Sequence, residues 1–342
     1  MALPLKGTAG AAGSDHALVD VERGSRALPA LLAGGRCFTL GDILDAAEWR
    51  GDLVKFRADW TARQVRAAAA AERELEPAAE EVESAVNEFR YARDLVSGEE
   101  CERWLGQRGL EFADLTAAMS RRLQAALAGA AGPAEFVDGT EEIFLTDAIL
   151  SDEFTLWSHR LAHRIALALD AGTTFPEADG LMALLPAMEE RLNAAVAGWT
   201  TPDRQRRALA NQRLGLTRIT LAVTEFDSEP AAREARLCAV EDGVALAETA
   251  AANGFACRQE DAFLDELPEN WRPVLVGARS GDIVFPSGDA GCFPLLHVLR
   301  RREPSLEEES VLRRLNDGLV QQRLQELATR HIRWAIAMEV GA

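Results

Sequence analysis

The chain has 342 residues, a net charge of −18 and a pI near 4.8, and this acidity repels phosphate backbones and excludes sequence-independent nucleic-acid binding. Its composition, 48% apolar but only 6% aromatic with Ala, Leu, Glu and Arg abundant, favours helix and excludes an all-β or disordered chain. The length provides for two or three cores. Residues 1–25 are rich in Gly, Ala and Ser, with an edge strand conceivable over Ala17 to Val21. They contain no apolar run that would serve as a secretory signal or membrane anchor, so no membrane insertion is expected and the expected location is the cytoplasm. Five cysteines, Cys37, Cys101, Cys238, Cys257 and Cys292, are widely spaced with no CxxC, the pattern of reduced thiols.

Arg36 to Leu40 reads as a short strand, after which Thr39 or Asp42 caps a helix. From Leu40 to Ala128 the pattern is helical: Ile43, Leu44 and Ala47 share a face, followed by Leu53, Phe56 and Trp60. Pro77 suits a first helical turn, and Ser97 with Glu100 has capping-box spacing. Asp114 introduces a helix holding Leu115, Met119, Leu123 and Leu127. Gly129 to Pro133 predicts a linker. A second helical block follows: Glu141 to Ala171 as one or two helices, a break over Gly172 to Pro176, a helix over Leu181 to Val196, and another beginning at Thr201-Pro202-Asp203. Thr217 to Val223 reads as a strand, Pro230 to Val240 and Gly243 to Ala250 as helices. A short helix from Leu267-Pro268, with Val274, Leu275 and Ala278 on its apolar side, comes next. Ile283 to Phe285 is strand-like, Pro286 to Asp289 turns the chain, and Cys292 to Leu299 is β-rich before three arginines read as a solvated strand end. Pro304-Ser305 opens a last helix through Leu312, Leu315, Leu319, Leu324, Leu327, Ile332 and Trp334.

The stretch from Thr217 to Leu299, about a quarter of the chain, resembles a parvulin-type (PpiC-like) peptidyl-prolyl isomerase domain. The likeness lies in the order strand TRITLAV, helix, "G-x-x-F-x-x-x-A"-like helix (GVALAETA here), helix, Gly-Asp, strand, Gly-rich hairpin and a last strand ending HVL. Upstream, the strand at Arg36, the spacing of Val82, Ala85 and Phe89, and "W-L-x-x-x-G-L" at Trp104 resemble the N-terminal helical module of SurA-type chaperone-isomerases, a family that joins such a module to a parvulin domain. The resemblance implies a mainly α chain with a small α+β parvulin-like domain and a SurA-like helical module closed by a C-terminal helix. The expected division is a flexible segment (1–36), the SurA-like module (37–131), an unassigned helical block (132–213), the parvulin-like domain (214–303) and a last helix (304–342) packing on the module through Leu312, Leu315, Leu319 and Trp334.

An active site of that family uses a His on the first strand, a central Cys or Asp and a His on the last strand. This chain departs from the pattern. The first strand has no His, Pro294 falls where the second His belongs, and His297 lies on the opposite face of the strand. Asp261 or Cys257 is left as the central acidic or thiol group. The domain is therefore expected to be degenerate and to bind an unfolded or precursor polypeptide, with Phe263, Trp271, Phe285 and Phe293 lining the peptide pocket between the helices and the parvulin-like domain. The whole-chain acidity predicts that a basic client binds faster at low salt. The resemblance also implies maturation or export of a precursor peptide, with a weakly active isomerase as the alternative. A remoter alternative is metal-dependent, peptide-modifying chemistry at His159 and His163, which share a helical face. Their HxxxH lacks the Glu of the zinc-protease pattern, so the histidines read as packing groups and no cofactor is expected.

Overall fold

The structure, a computed structural model, describes residues 26–129, 141–175, 180–241, 243–286 and 291–337. The edge strand expected at 17–21, most of the linker at 129–133 and most of the turn at 286–289 lie outside them. Among the described residues the protein is mainly α with a small α+β domain: thirteen helices and seven strands. It divides into two compact units, Met1–Arg191 with Leu327–Ala342, and Leu192–Glu326.

The first unit opens with β1 (Pro29–Ala33) and β2 (Arg36–Thr39), an antiparallel hairpin pairing Leu31 with Phe38 and Leu32 with Cys37. Its two-residue turn is Gly34-Gly35, with φ of +56° and +80°, a backbone that glycine adopts without a Cβ penalty and that matches the twist of a tight hairpin. Thr39 caps α1 (Leu40–Trp49): its hydroxyl accepts from the Asp42 amide at 3.2 Å, and the Asp42 carboxylate accepts from the Thr39 amide at 2.8 Å. Then come α2 (Asp52–Ala71), α3 (Ala79–Tyr91), α4 (Gly98–Gly106), α5 (Phe112–Leu127), α6 (Glu141–Ile149) and α7 (Asp152–Asp170). Ser97 and Glu100 form the expected capping box at α4, while Asp114 lies inside α5 as the group accepting from the Glu111 cap amide at 2.7 Å. Helices α2, α3 and α6 pack on α5. Phe56, Trp60, Phe144 and Trp157 meet edge to face with centroids 5.2 to 5.8 Å apart. Beneath them the buried Asp147 carboxylate accepts from Trp60 Nε1 (2.9 Å), Gln64 Nε2 (3.2 Å) and Arg121 Nη2 (2.9 Å). That network ties α6 to α2 and α5.

The second unit runs through α9 (Pro202–Gln212), β3 (Arg218–Phe226), α10 (Glu229–Glu241), α11 (Leu246–Ala252), β4 (Cys257–Phe263), α12 (Arg272–Val276), β5 (Ile283–Val284) and β6 (Phe293–Arg302). Its sheet is antiparallel in the order β4-β3-β6-β5. One face presents Ile219, Leu221, Val223, Leu296 and Val298 to Leu267, Trp271, Leu275 and Ala278. A second cluster joins Phe226, Ala232, Ala235, Leu246 and Leu295, with Phe255, Phe285 and Phe293 half-buried at its edge. The unit boundaries fall inside α8 (Leu181–Trp199) and α13 (Glu309–His331). Residues 132–213, expected as one block, are thus divided, with α6 and α7 in the first unit.

The structure corrects two further expectations. Leu315 and Val311 of α13, with Leu319 alongside, pack on Ala208, Leu216 and Phe263 of the second unit and not on residues 40–128, because Phe263 and Leu216 leave an apolar end that the helix covers. The chain after α13 is what meets the module. There β7 (Arg333–Trp334) pairs with β1, Leu31 opposite Trp334, and the buried Arg108 donates to the Ala337 carbonyl at 2.5 Å. The Arg300–Arg302 run ends β6 as expected and Arg300 is exposed, but Arg301 is not simply solvated: its Nη1 donates to the Leu275 and Ala278 carbonyls at 2.8 and 3.2 Å.

Candidate functional site

The register of the second sheet places each expected catalytic group. Asp261 lies opposite Thr220 and Cys257 opposite Thr224, so both project from the face that also carries His297, paired with Ala222. Four residues of one strand separate them, about 13 Å. They form no dyad. Pro294, opposite Glu225, belongs to the other face, as the alternation of the last strand predicts.

Asp261 is bound into an ion-pair network. Its carboxylate accepts from Arg218 Nε at 3.0 Å and Nη2 at 2.8 Å, and from the Thr220 hydroxyl at 3.1 Å, with Arg302 Nη2 at 3.9 Å. Arg218 reaches on to Glu308 at 3.3 Å. Burial pushes the Asp261 pKa up, but the Arg218 and Thr220 hydrogen bonds and the charges of Arg218 and Arg302 outweigh it and hold the carboxyl below its ordinary value. The Arg218 pKa is raised in return, first by its hydrogen bond to Asp261. A carboxylate so stabilised is a poor proton donor or acceptor near neutral pH.

The four aromatic residues expected to line one pocket are distributed over three cores. Phe263 packs with Leu216 and Leu315, Trp271 with the sheet and Leu275, and Phe285 and Phe293 at the Phe226–Leu246 cluster. Phe263 and Trp271 are 8% and 6% exposed, so neither presents a ring to a ligand; Phe285 and Phe293 remain half-buried. The cause is geometric: Phe263 ends β4 at the sheet's edge whereas Trp271 begins α12 over the opposite face. His159 and His163 lie on α7 with ring centroids 6.0 Å apart, and His159 meets Trp334 edge to face at 5.2 Å. Among the described residues, no group of three or more His, Cys, Asp or Glu is placed to hold a metal ion.

The first unit contains a cleft of about 540 Å³ that the sequence reading did not find. Its walls are Phe56 and Arg63 of α2, Glu88 and Phe89 of α3 with Arg93 just after it, Met119 and Arg122 of α5, and the Leu150–Glu153 turn into α7. Phe56 and Met119 were legible as apolar helix positions. The arginines beside them look like ordinary solvated positions in a helical repeat, and only the packing of α2 and α3 on α5 turns them inward.

No family model and no curated protein matches the chain. Among solved structures it is similar to the foldase protein PrsA from Streptococcus pneumoniae str. Canada MDR_19A, at 11% identity over 88% of this chain and 91% of that chain, with a TM-score of 0.30. It is also similar to the foldase protein PrsA from Lactococcus lactis, at 10% identity over 88% and 89%, with a TM-score of 0.29. A structure from the work on PEB4 and Cj1289, described as SurA-like chaperones of Campylobacter jejuni, aligns at 9% identity over 90% and 98%, with a TM-score of 0.20.

Proposed function

We propose that this protein binds unfolded or precursor polypeptide in a chaperone-like role, and that its small antiparallel sheet does not catalyse prolyl isomerisation. The observation that carries the reading is the state of that sheet: the strands and helices expected for a parvulin-like domain are present in their order, with β4 added, while Asp261, the acid expected at its centre, is neutralised by Arg218 and Arg302. Lowering a rotational barrier of about 20 kcal/mol requires groups that bind the twisted amide better than the planar one. Neither Pro294 nor Thr220 supplies such a group, and Cys257 lies too far from Asp261 to act with it. Binding asks less: accessible apolar surface and a few polar anchors. Phe285 and Phe293 offer the former at the second unit. Handling of a precursor before export, in the cytoplasm, accords with this reading.

The test is a protease-coupled isomerisation assay with a prolyl peptide. Little acceleration over the uncatalysed rate is expected. High turnover abolished by Asp261→Ala or Cys257→Ala would replace the reading with that of an active isomerase.

A further inference from the structure

We propose that the cleft of the first unit binds an acidic segment of an unfolded polypeptide, a carboxylate engaging Arg122 and Arg63 while flanking apolar side chains lie against Phe56, Phe89 and Met119. This rests on the polypeptide-binding reading and adds to it a place and a chemical preference.

The charges inside the cleft carry the argument. Arg93 is paired with Asp152, and Arg121, behind the wall, with Asp147. Arg63 and Arg122, both half-buried, make no hydrogen bond or ion pair among the described residues. Arg63 stands over the Phe56 ring at 5.9 Å and Arg93 over Phe89 at 4.0 Å. The acids of the lining other than Asp152 are Glu88 and Glu153, both exposed. The interior thus holds two cations with no ion-pair partner of their own, Asp147 and Asp152 acting on Arg122 only at a distance, in a chain whose net charge is −18. Burial lowers the pKa of Arg122, Arg63 and Arg93 add to the lowering, and the charges of Asp147 and Asp152 oppose it without cancelling it. A half-buried guanidinium without a partner is costly, and a carboxylate meeting its planar fork is the ligand that offsets the cost. The apolar walls favour a carboxylate carried on a chain with apolar neighbours over a free, strongly hydrated anion. A volume of about 540 Å³ suits a few side chains and not a folded partner.

This reverses locally the basic client suggested by the whole-chain charge, and the two fields separate kinetically. Long-range repulsion slows an acidic peptide's approach and is screened by salt, whereas the half-buried contact is screened less. Raising salt is therefore expected to increase the association rate of an acidic peptide.

The experiment uses the full chain and two labelled unstructured peptides, one containing Glu among Leu and Ser, the other identical with Gln for Glu. The Glu peptide is expected to bind the native protein about tenfold more tightly, a difference of about 1.4 kcal/mol. Arg122→Gln should erase the preference and leave binding of the Gln peptide intact, while Arg206→Gln on the exposed side of α9 should preserve it. Arg122→Gln should also unfold in urea no earlier than the native chain, since it has no ion pair to lose; an arginine with a structural role would lower the midpoint. Equal binding of the two peptides, or a preference surviving in Arg63→Gln/Arg122→Gln, would overturn the cleft assignment while the polypeptide-binding reading stands. Failure of both peptides to bind would overturn the two together.

Discussion

Asp147→Ala tests whether the Trp60–Gln64–Arg121 network builds the first unit. In the native chain the carboxylate is 4% exposed and Trp60 1%, so removing it strands the indole N–H in a dry site, at about 1–3 kcal/mol. Arg121, with its side chain 24% exposed, recovers part of its hydration, which keeps its share toward the low end. Breaking a buried pair from one side costs about 3–5 kcal/mol in general, and the partial exposure of Arg121 places the expectation near the bottom of that range, about 3 kcal/mol. Asp147→Asn keeps an oxygen for Trp60 and should cost about half as much. The assay is urea unfolding followed by tryptophan emission and far-ultraviolet circular dichroism, reading the transition of the first unit separately, because two units need not unfold together. In a Trp60→Phe background the cost of Asp147→Ala should fall by about 1 kcal/mol or more, the donor being gone. A loss under about 1 kcal/mol for Asp147→Ala, or no coupling to Trp60, would refute the network's role in joining α6 to α2 and α5.

Other outcomes follow from the same geometry. Leu315→Ala, which empties a fully buried site between α13, Leu216 and Phe263, should destabilise the second unit by about 2–5 kcal/mol, read as an earlier urea midpoint for that unit. The Asp261–Arg218 pair should contribute above the ordinary carboxylate pKa of about 4. Because the folded pKa of Asp261 is depressed, the stabilisation is lost as pH falls through that lowered value, so the gap between native and Asp261→Asn midpoints should be open at neutral pH and closed in strong acid. Removing the chain from Arg333 onward deprives β1 of its partner and Arg108 of the Ala337 carbonyl, and should lower the first unit's midpoint more than Trp334→Ala alone does. Elemental analysis of chelator-free protein should find no stoichiometric metal lost in His159→Ala, since two imidazoles lack the further ligands a zinc site requires.

The helical fold was legible wherever a cap coincided with a 3.6-residue apolar period. Ser97 with Glu100, Thr39 with Asp42 and Pro202 after Thr201 all mark helix starts within a residue of those observed. Strand β3 announced itself through alternation, and β6 as a β-rich run of apolar residues. Strand β4 did not: Cys257 to Phe263 reads CRQEDAF and lies at an edge of its sheet, where polar residues serve as well as apolar ones. Strand β7 is two residues long and exists only because β1 lies beside it, a long-range fact that no local pattern carries. The candidate site was legible in its departures, the missing histidines and Pro294, but not in its contacts. Nothing at Asp261 indicates that Arg218, 43 residues earlier, claims its carboxylate, and nothing at Arg122 indicates the cleft it faces.

The most direct test of the central claim is two-dimensional exchange NMR on an unstructured peptide containing one X-Pro bond, mixed with the folded full-length protein. Free cis–trans exchange takes tens of seconds or more, too slow to give exchange cross-peaks in a mixing time well below about 1 s. The proposal predicts that the peptide resonances broaden or shift on adding protein, reporting binding, with no cis–trans cross-peaks appearing. Cross-peaks that grow with protein concentration would contradict the loss of catalysis, and resonances unchanged throughout the titration would contradict polypeptide binding itself.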